Sequence, residues 1–222
     1  MKLAFPDFTN SIVIEDGETF ELIIENQRLF YSFVSDIAIQ MQKQDGKSVL
    51  SNDGKPISFF SNIEFISDYA YFDLNQKTLV TKILSSLEKR ATEDNFFYKQ
   101  QELLSKLEAF IGELVLDCGC DLEVTSLNMA SILKAAGFRI VDDYSSLEEK
   151  IVAYMELIDE YVGNRLYVFV NLKSFLPDNA LLCLIEDCIS HGRKVLLIDN
   201  RGVVLKSENK HLIIDCDLCE IE

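Results

Sequence analysis

The sequence predicts an α/β protein in which residues 1–60 and 140–222 form one domain and residues 61–139 form a helical insertion. Residues 165–200 consist of an apolar run, a helical pattern and a second apolar run, which is typical of a right-handed parallel β-α-β crossover. Short β-type runs open the chain, and residues 75–116 show helical periodicity with few helix breakers. Together these observations favour a parallel sheet assembled from both ends of the chain.

The first 60 residues predict three strands, a helix and a hairpin. The runs LAF, SIVIE and ETFELIIE alternate with turn-forming residues, as short strands do. Residues 27–42 carry apolar side chains at helical spacing. The turn Asn52-Asp53-Gly54 lies between Ser-Val-Leu and Pro-Ile-Ser-Phe-Phe, so we expect a β-hairpin there.

The remaining elements follow from local signals. Two helices are expected within residues 75–116, and a short helix ends at Gly137. Residues 138–141 predict a strand, and residues 145–163 a helix with Ser145 and Glu148 at capping-box spacing. The last third predicts a strand at 165–172, a helix that begins near Pro177, and strands at 194–200 and 210–216.

Composition limits the cellular location and the cysteine chemistry. The 222 residues are 48% hydrophobic, yet no apolar run has the length of a membrane span and no signal peptide is evident, so we expect a cytoplasmic protein. Six cysteines are too few for a secreted disulfide framework. Cys183 and Cys188 lie among leucines and isoleucines and are interpreted as core residues, whereas Cys216 and Cys219 lack two further zinc ligands.

The tripeptide Gly46-Lys47-Ser48 has the same residues as the end of a phosphate-binding P-loop. A P-loop also needs a glycine five positions before Gly46, and it connects a strand to the N-terminus of a helix. Met41 occupies that glycine position, and here a helix precedes the tripeptide and a strand follows it. We interpret the tripeptide as a helix exit and expect no nucleotide there.

Asp199-Asn200-Arg201 follows a predicted parallel strand, where α/β proteins often place ligand groups. A Walker-B aspartate occupies such a position, but without a P-loop it has no nucleotide metal to hold. We interpret this tripeptide as a structural turn.

Four carboxylates, Glu113, Asp117, Asp121 and Glu123, surround a glycine-containing turn without an intervening basic residue. They repel one another unless a cation or solvent compensates them. Irregularly spaced oxygen ligands suit Ca²⁺, so the cluster is either a solvated acidic loop or a calcium site.

Basic residues are concentrated in one predicted helix of an otherwise acidic chain. The formal net charge is −16, which disfavours a nucleic-acid partner, but residues 77–110 carry six basic and five acidic groups. The first of the two helices predicted in this region contains Lys77, Lys82, Lys89 and Arg90. Helical geometry directs Lys82 and Lys89 away from its apolar stripe. Its outer face is either a solvated surface or a phosphate-binding one.

Four segments within residues 63–201 resemble a known family, the small adaptation proteins of type II-A CRISPR systems in the Csn family. They are IEFISDYAYFDLNQKTLVTKILSSLE, CDLEVTSLNMASILKAAGFRI, YVFVNLKSFLPDNALLCLIEDCIS and VLLIDNR. The resemblance implies a RecA-like α/β head that lacks a working P-loop and carries a helical leg, which agrees with the division at residues 61 and 139.

The resemblance also implies a function in spacer acquisition, the adaptation step of antiviral defence. Such proteins form tetrameric rings that bind the ends of linear double-stranded DNA without sequence preference and without catalysis. Ca²⁺ stabilises the ring, and the CRISPR integrase pair and the type II effector nuclease are partners. Carried over to this chain, Asp117, Asp121 and Glu123 are the expected calcium ligands, and Lys77, Lys82, Lys89 and Arg90 the expected DNA contacts. A closed ring can keep a basic lining within an acidic exterior.

Two other classes of function remain open from the residues themselves. A RecA-like ATPase would use Lys47, and a divalent-metal nuclease would use the acidic cluster. A protein-only adaptor would fit the acidic charge. Neither a membrane nor a nucleotide is expected as a partner.

Overall fold

The computed structural model describes residues 1–116, 118, 122, 126–202, 204–205 and 210–221, which divide into two compact units. The first unit comprises Met1–Phe72, Tyr144–Asp159 and Gly163–Glu222. The second comprises Asp73–Asp143 and Glu160–Val162. Within the described ranges, no helix is both long enough and apolar enough to cross a bilayer.

The chain contains both strands and helices, as the α/β prediction requires. The strands are β1 (Lys2–Ala4), β2 (Ile12–Val13), β3 (Thr19–Ile24), β4 (Val49–Asn52), β5 (Lys55–Pro56), β6 (Ile63–Ile66), β7 (Leu166–Val170), β8 (Lys194–Asp199), β9 (Lys210–Ile214) and β10 (Glu220–Ile221). The helices are α1 (Gln27–Met41), α2 (Phe59–Asn62), α3 (Lys77–Ala91), α4 (Asp94–Leu116), α5 (Met129–Ala135), α6 (Leu147–Tyr161) and α7 (Asp178–Ser190), with a 3-10 helix at Leu172–Ser174.

The main sheet of the first unit is parallel except at one edge. Its strand order among the described residues is β10-β9-β3-β8-β7-β6, and only the β9–β10 pairing is antiparallel. Leu22 of β3 is paired with Ile198 of β8 on one side and with Leu212 of β9 on the other. The α/β class and the parallel pairing of β7 with β8 are therefore confirmed.

Both faces of the central strands are buried, because successive side chains of a strand point to opposite faces. One face forms the main hydrophobic cluster, in which Leu22, Val168 and Leu196 join Phe33 and Ile37 of α1. The alternate residues face α6 and α7: α7 contacts β3 and β8, and the Tyr167 hydroxyl donates to the backbone oxygen of Met155 in α6. This two-sided burial explains the unbroken apolar runs in the sequence.

A second, antiparallel sheet in the first unit has the order β2-β1-β4-β5 among the described residues. The predicted hairpin joins β4 to β5. Asp53 and Gly54 have φ values of 50° and 73°, and positive φ at both turn positions is characteristic of a type I′ turn. The hairpin and its turn are confirmed, but the second strand is only Lys55–Pro56, and Phe59 and Phe60, which were expected in it, belong to α2.

The second unit contains α3 and α4, as the helical periodicity of residues 75–116 predicts, and α5, which is the short helix expected before Gly137. α5 is capped at its N-terminus by Asn128, whose side chain accepts a hydrogen bond from the Ser131 backbone N–H. It ends near Gly137, whose φ of 66° lies in the left-handed region that favours glycine. α3 contacts both α4 and α5.

The units divide at residues 72/73 and 143/144, rather than at the predicted 61 and 139. The difference at the first boundary has a direct cause. Ile63–Ile66 forms β6, which pairs in parallel with β7, so this segment is an edge strand of the main sheet. A four-residue strand is too short to be distinguished by periodicity from the start of a helical region.

The strand predicted at residues 138–141 is wrong. This segment has no regular structure, and Phe138 and Val141 are exposed. The Asn75 side chain binds its backbone instead. Its amide accepts from the Ile140 N–H at 2.7 Å and donates to the Ile140 carbonyl at 3.1 Å. One side-chain amide thus replaces the ladder hydrogen bonds that a strand would make.

Two further details differ from the sequence prediction. The capping box of α6 is shifted by one residue, because the Glu149 N–H donates to the Ser146 hydroxyl oxygen and Ser145 hydrogen-bonds to the Glu149 carboxylate. Cys188 is buried as expected, but Cys183 is exposed, so it is not a core residue.

Candidate nucleic-acid interface

The exposed face of α3 carries a stripe of hydroxyl and ammonium groups. Thr78, Lys82, Ser85 and Lys89 are all exposed, and at about 100° per residue they fall within about 60° of one another. They extend over roughly 16 Å of the helix, given about 1.5 Å of rise per residue. We call these four residues the α3 stripe. Lysine and hydroxyl side chains are common donors to phosphate oxygens, and in this structure the Ser85 hydroxyl donates within the helix to the Thr81 carbonyl at 3.0 Å.

The four predicted DNA contacts do not form a single row. Lys82 and Lys89 both belong to the α3 stripe, seven residues apart. Lys77 and Arg90 are exposed too, but each is rotated about 80° to one side of it. The structure therefore brings Lys82 and Lys89 together and separates Lys77 and Arg90 from them. DNA binding by any of the four stays a prediction.

Thr78 and Ser85 are the stripe residues that the sequence reasoning missed. The missed signal was spacing, since these two residues and the two lysines lie at i, i+4, i+7 and i+11. Ser85, which lies between the two lysines, carries no charge. Among the described residues, no carboxylate forms an ion pair with Lys82 or Lys89.

The end of α3 gives Lys89 and Arg90 a second, purely structural role. Both residues lie in the last turn, where cations interact favourably with the helix dipole. The Thr92 hydroxyl also donates to the Lys89 carbonyl at 2.6 Å, which satisfies one of the unpaired terminal carbonyls. Helix stability alone therefore accounts for cations at positions 89 and 90, but not for Lys82 in the middle of the helix.

The predicted calcium ligands Asp117, Asp121 and Glu123 lie outside the described residues. Glu113, the fourth member of the acidic cluster, is exposed on α4. In the part of the chain that is described, no group of three or more His, Cys, Asp or Glu side chains is arranged to hold a metal ion. Calcium binding therefore rests on the sequence pattern and the resemblance.

Two backbone N–H groups of Gly46-Lys47-Ser48 already donate to a carboxylate of the protein, so they are not available to a phosphate. Asp36 of α1 accepts hydrogen bonds from the N–H groups of Lys47 at 2.6 Å and Ser48 at 2.8 Å. Burial tends to raise the pKa of Asp36, but these N–H groups and the Gln40 amide outweigh it and lower the pKa. The N–H groups that cradle phosphate in a P-loop thus bind an anionic side chain here.

The connection between β3 and α1 is the place where a nucleotide-binding α/β fold would carry its phosphate loop. Here it consists of Glu25 and Asn26 alone. The Asn26 side chain accepts from the N–H groups of Arg28 and Leu29, so the N-terminus of α1 is capped within the chain. Neither this turn nor Gly46-Lys47-Ser48 has the geometry of a P-loop.

Asp199 belongs to a buried ionic cluster, which agrees with a structural role for the turn that it begins. The Lys173 ammonium lies 2.9 Å from a carboxylate oxygen of Glu21 and 3.6 Å from one of Asp199. Glu21 is 0% and Asp199 3% exposed. Burial raises the pKa of Asp199 to about 6, with Lys173 acting in the opposite direction and Glu21 reinforcing the shift.

This raised pKa makes folding stability depend on pH. Folded Asp199 holds its proton more tightly than the unfolded chain, so its contribution to the unfolding free energy falls as pH rises from about 4 to about 6. We expect Asp199→Asn to remove up to roughly 3 kcal/mol of that fall. Urea denaturation at about pH 4 and about pH 7 measures the difference. An identical fall in both proteins would contradict this assignment.

A family model and curated relatives point to the same family. Residues 40–218 match the family model described as CRISPR-associated protein (Cas_Csn2). The CRISPR-associated protein Csn2 of Streptococcus agalactiae is 21% identical over 194 residues, which cover 86% of this chain and 81% of the relative. Csn2 of Enterococcus faecalis is 19% identical over 196 residues, covering 86% and 83%.

A solved structure shows the same fold. The crystal structure of Stu0660 of Streptococcus thermophilus superposes with a TM-score of 0.57 at 14% sequence identity, covering 89% of this chain and 68% of the other.

Proposed function

Because the chain belongs to the Csn2 family of CRISPR-associated proteins, as predicted, we propose that it binds the ends of linear double-stranded DNA during spacer acquisition. In this proposal a tetrameric ring holds the DNA, Ca²⁺ stabilises the ring, and no reaction is catalysed. The integrase pair and the effector nuclease of the CRISPR system would receive or position the bound DNA. The adaptation role is inferred from family membership. The DNA contact is supported by the residues of the α3 stripe.

The α3 stripe is the single observation that best supports DNA binding. It presents two exposed ammonium groups and two hydroxyls without an intervening carboxylate, in a chain whose net charge is −16. Such groups contact the phosphate backbone, which carries no sequence information. Binding by this stripe would therefore be independent of base sequence and sensitive to salt.

An exposed apolar row on α4 supports the oligomeric part of the proposal. Phe96, Leu103, Phe110 and Leu114 are each 44–56% exposed. With Leu107 they occupy positions of a heptad repeat, at which helices pack against one another in coiled coils. Contiguous exposed apolar side chains of this kind mark contact surfaces between proteins.

We expect Leu103→Glu combined with Phe110→Glu to lower the oligomer mass, since buried glutamates would be unpaired in a subunit contact. Light scattering after size exclusion measures the mass. Glu102→Gln with Glu108→Gln on the same helix serves as a control that should leave it unchanged. A full-size oligomer in the apolar-row variant would exclude this surface from the assembly.

The calcium requirement has its own test. Fluorescence anisotropy of a labelled linear duplex should rise with protein concentration in Ca²⁺, and the apparent Kd should increase at least about tenfold in EDTA, because the acidic turn would repel DNA without the cation. Equal affinity in both buffers would remove calcium from the proposal. Cleavage of the duplex in Mg²⁺ would instead favour the nuclease alternative.

A further inference from the structure

A groove of about 470 Å³ lies between α6 and α7 in the first unit. Its floor is apolar and consists of small or medium side chains. These are Val152 and Ala153 of α6 together with Ala180, Cys183 and Leu184 of α7. Its volume falls within the range of sites that accept an apolar side chain or a small ligand.

The charged residues at the rim of this groove are all acidic. Glu148, Glu149, Glu156 and Asp187 line it, and none of its lining residues is basic. Two of these carboxylates are engaged within the chain, because Glu149 accepts from Ser145 and Asp187 accepts from Arg193. Among the described residues, no cation forms an ion pair with Glu148 or Glu156. These two glutamates are therefore available to an external cation.

The spacing of the two glutamates at the rim indicates what kind of partner would fit the groove. Glu148, Val152 and Glu156 follow one another every four residues along α6, so they form one stripe. The two glutamates are about 12 Å apart along the helix axis, with the apolar side chain midway between them. A partner helix with Lys or Arg at two positions about two turns apart, and an apolar residue between them, matches this stripe in charge and in spacing.

We propose that the α6/α7 groove docks a basic amphipathic helix of a partner protein. The apolar side chain of that helix enters the groove floor, and its two cations pair with Glu148 and Glu156. This is the helix-in-groove mode of recognition, with charge complementarity setting the register. The groove shares no residue with the α3 stripe, so this proposal does not depend on DNA binding.

The test uses the full-length protein and a fluorescein-labelled alanine-based helical peptide with Lys, Phe and Lys at intervals of four residues. Anisotropy should show saturable binding that weakens about tenfold in the Glu148→Gln, Glu156→Gln double variant, since two ion pairs are removed. Asp7→Asn with Asp45→Asn, which changes the same charge at exposed sites outside the groove, should leave the affinity unchanged.

Cys183 reports the location of the bound peptide. Its thiol is exposed and lines the groove, whereas Cys216 is exposed elsewhere in the same unit. Saturating peptide should slow iodoacetamide alkylation of Cys183 at least about fivefold while the rate at Cys216 stays constant, as quantified by mass spectrometry.

Three results of the peptide experiment would each overturn the proposal. The peptide fails to bind, it binds both double variants equally, or it binds without protecting Cys183. A fourth result would also overturn it. If Cys183 were protected from alkylation in the peptide-free protein and this protection were lost on dilution, a second copy of the chain would be the molecule that occupies the groove.

Discussion

Lys173→Met should destabilise the first unit by about 3–5 kcal/mol, the typical cost of removing one partner from a buried ionic group. Among the described residues, Lys173 lies close to both Glu21 and Asp199, and the two carboxylates are almost completely buried. Without its ammonium group the two buried carboxylates lose this shared cation, although Glu21 still accepts a hydrogen bond from the Leu205 N–H. Urea denaturation followed by circular dichroism measures the decrease in unfolding free energy.

Lys106→Met is the matched control for Lys173→Met. Lys106 also pairs with a glutamate, Glu102, but both side chains are mostly exposed on α4. Solvent screens an exposed pair at i, i+4, so we expect little change in the unfolding free energy. Similar destabilisation in the two variants would show that the Glu21–Lys173–Asp199 cluster does not have this energetic role.

Lys82→Glu combined with Lys89→Glu should weaken binding of a linear duplex about 100-fold at moderate salt. In each subunit, two ammonium groups that would bind phosphates are replaced by two carboxylates that repel them on the α3 stripe. The dependence of log K on log salt should also become shallower, by about one for each phosphate that is no longer bound. Anisotropy titrations at several salt concentrations measure both quantities.

The control for this variant introduces the same charge change at other positions. Lys47→Glu with Lys55→Glu alters two exposed lysines of the first unit that lie outside the α3 stripe. We expect its salt slope to match that of the unmodified protein. If the stripe variant retained full affinity and slope, Lys82 and Lys89 would have to be excluded from the DNA-binding surface.

The fold was largely predictable because its strongest signals are local. β7 and β8 are buried on both faces, which forces runs of apolar residues that periodicity identifies. Residues 138–141 carry a similar local pattern, yet their backbone is bound by Asn75, 65 residues away in sequence. A contact at that separation leaves no trace in the local pattern, so the predicted strand was wrong.

The candidate site was predictable only in part, for the same reason. The period of α3 places Lys82 and Lys89 on one face, whereas a glutamate at position 21 within an apolar strand only indicates that a partner is needed. One such partner, Lys173, lies 152 residues further along the chain and could not be identified from sequence. The groove between α6 and α7 likewise depends on packing between separate segments.

Competition between linear and covalently closed circular DNA tests the central claim most directly. A labelled linear duplex bound in Ca²⁺ should be displaced by unlabelled linear duplex but not by an equal mass of closed circular DNA. The reason is that DNA can enter the proposed protein ring only by a free DNA end. Equally effective displacement by circles would contradict end binding and would indicate an open DNA-binding surface instead.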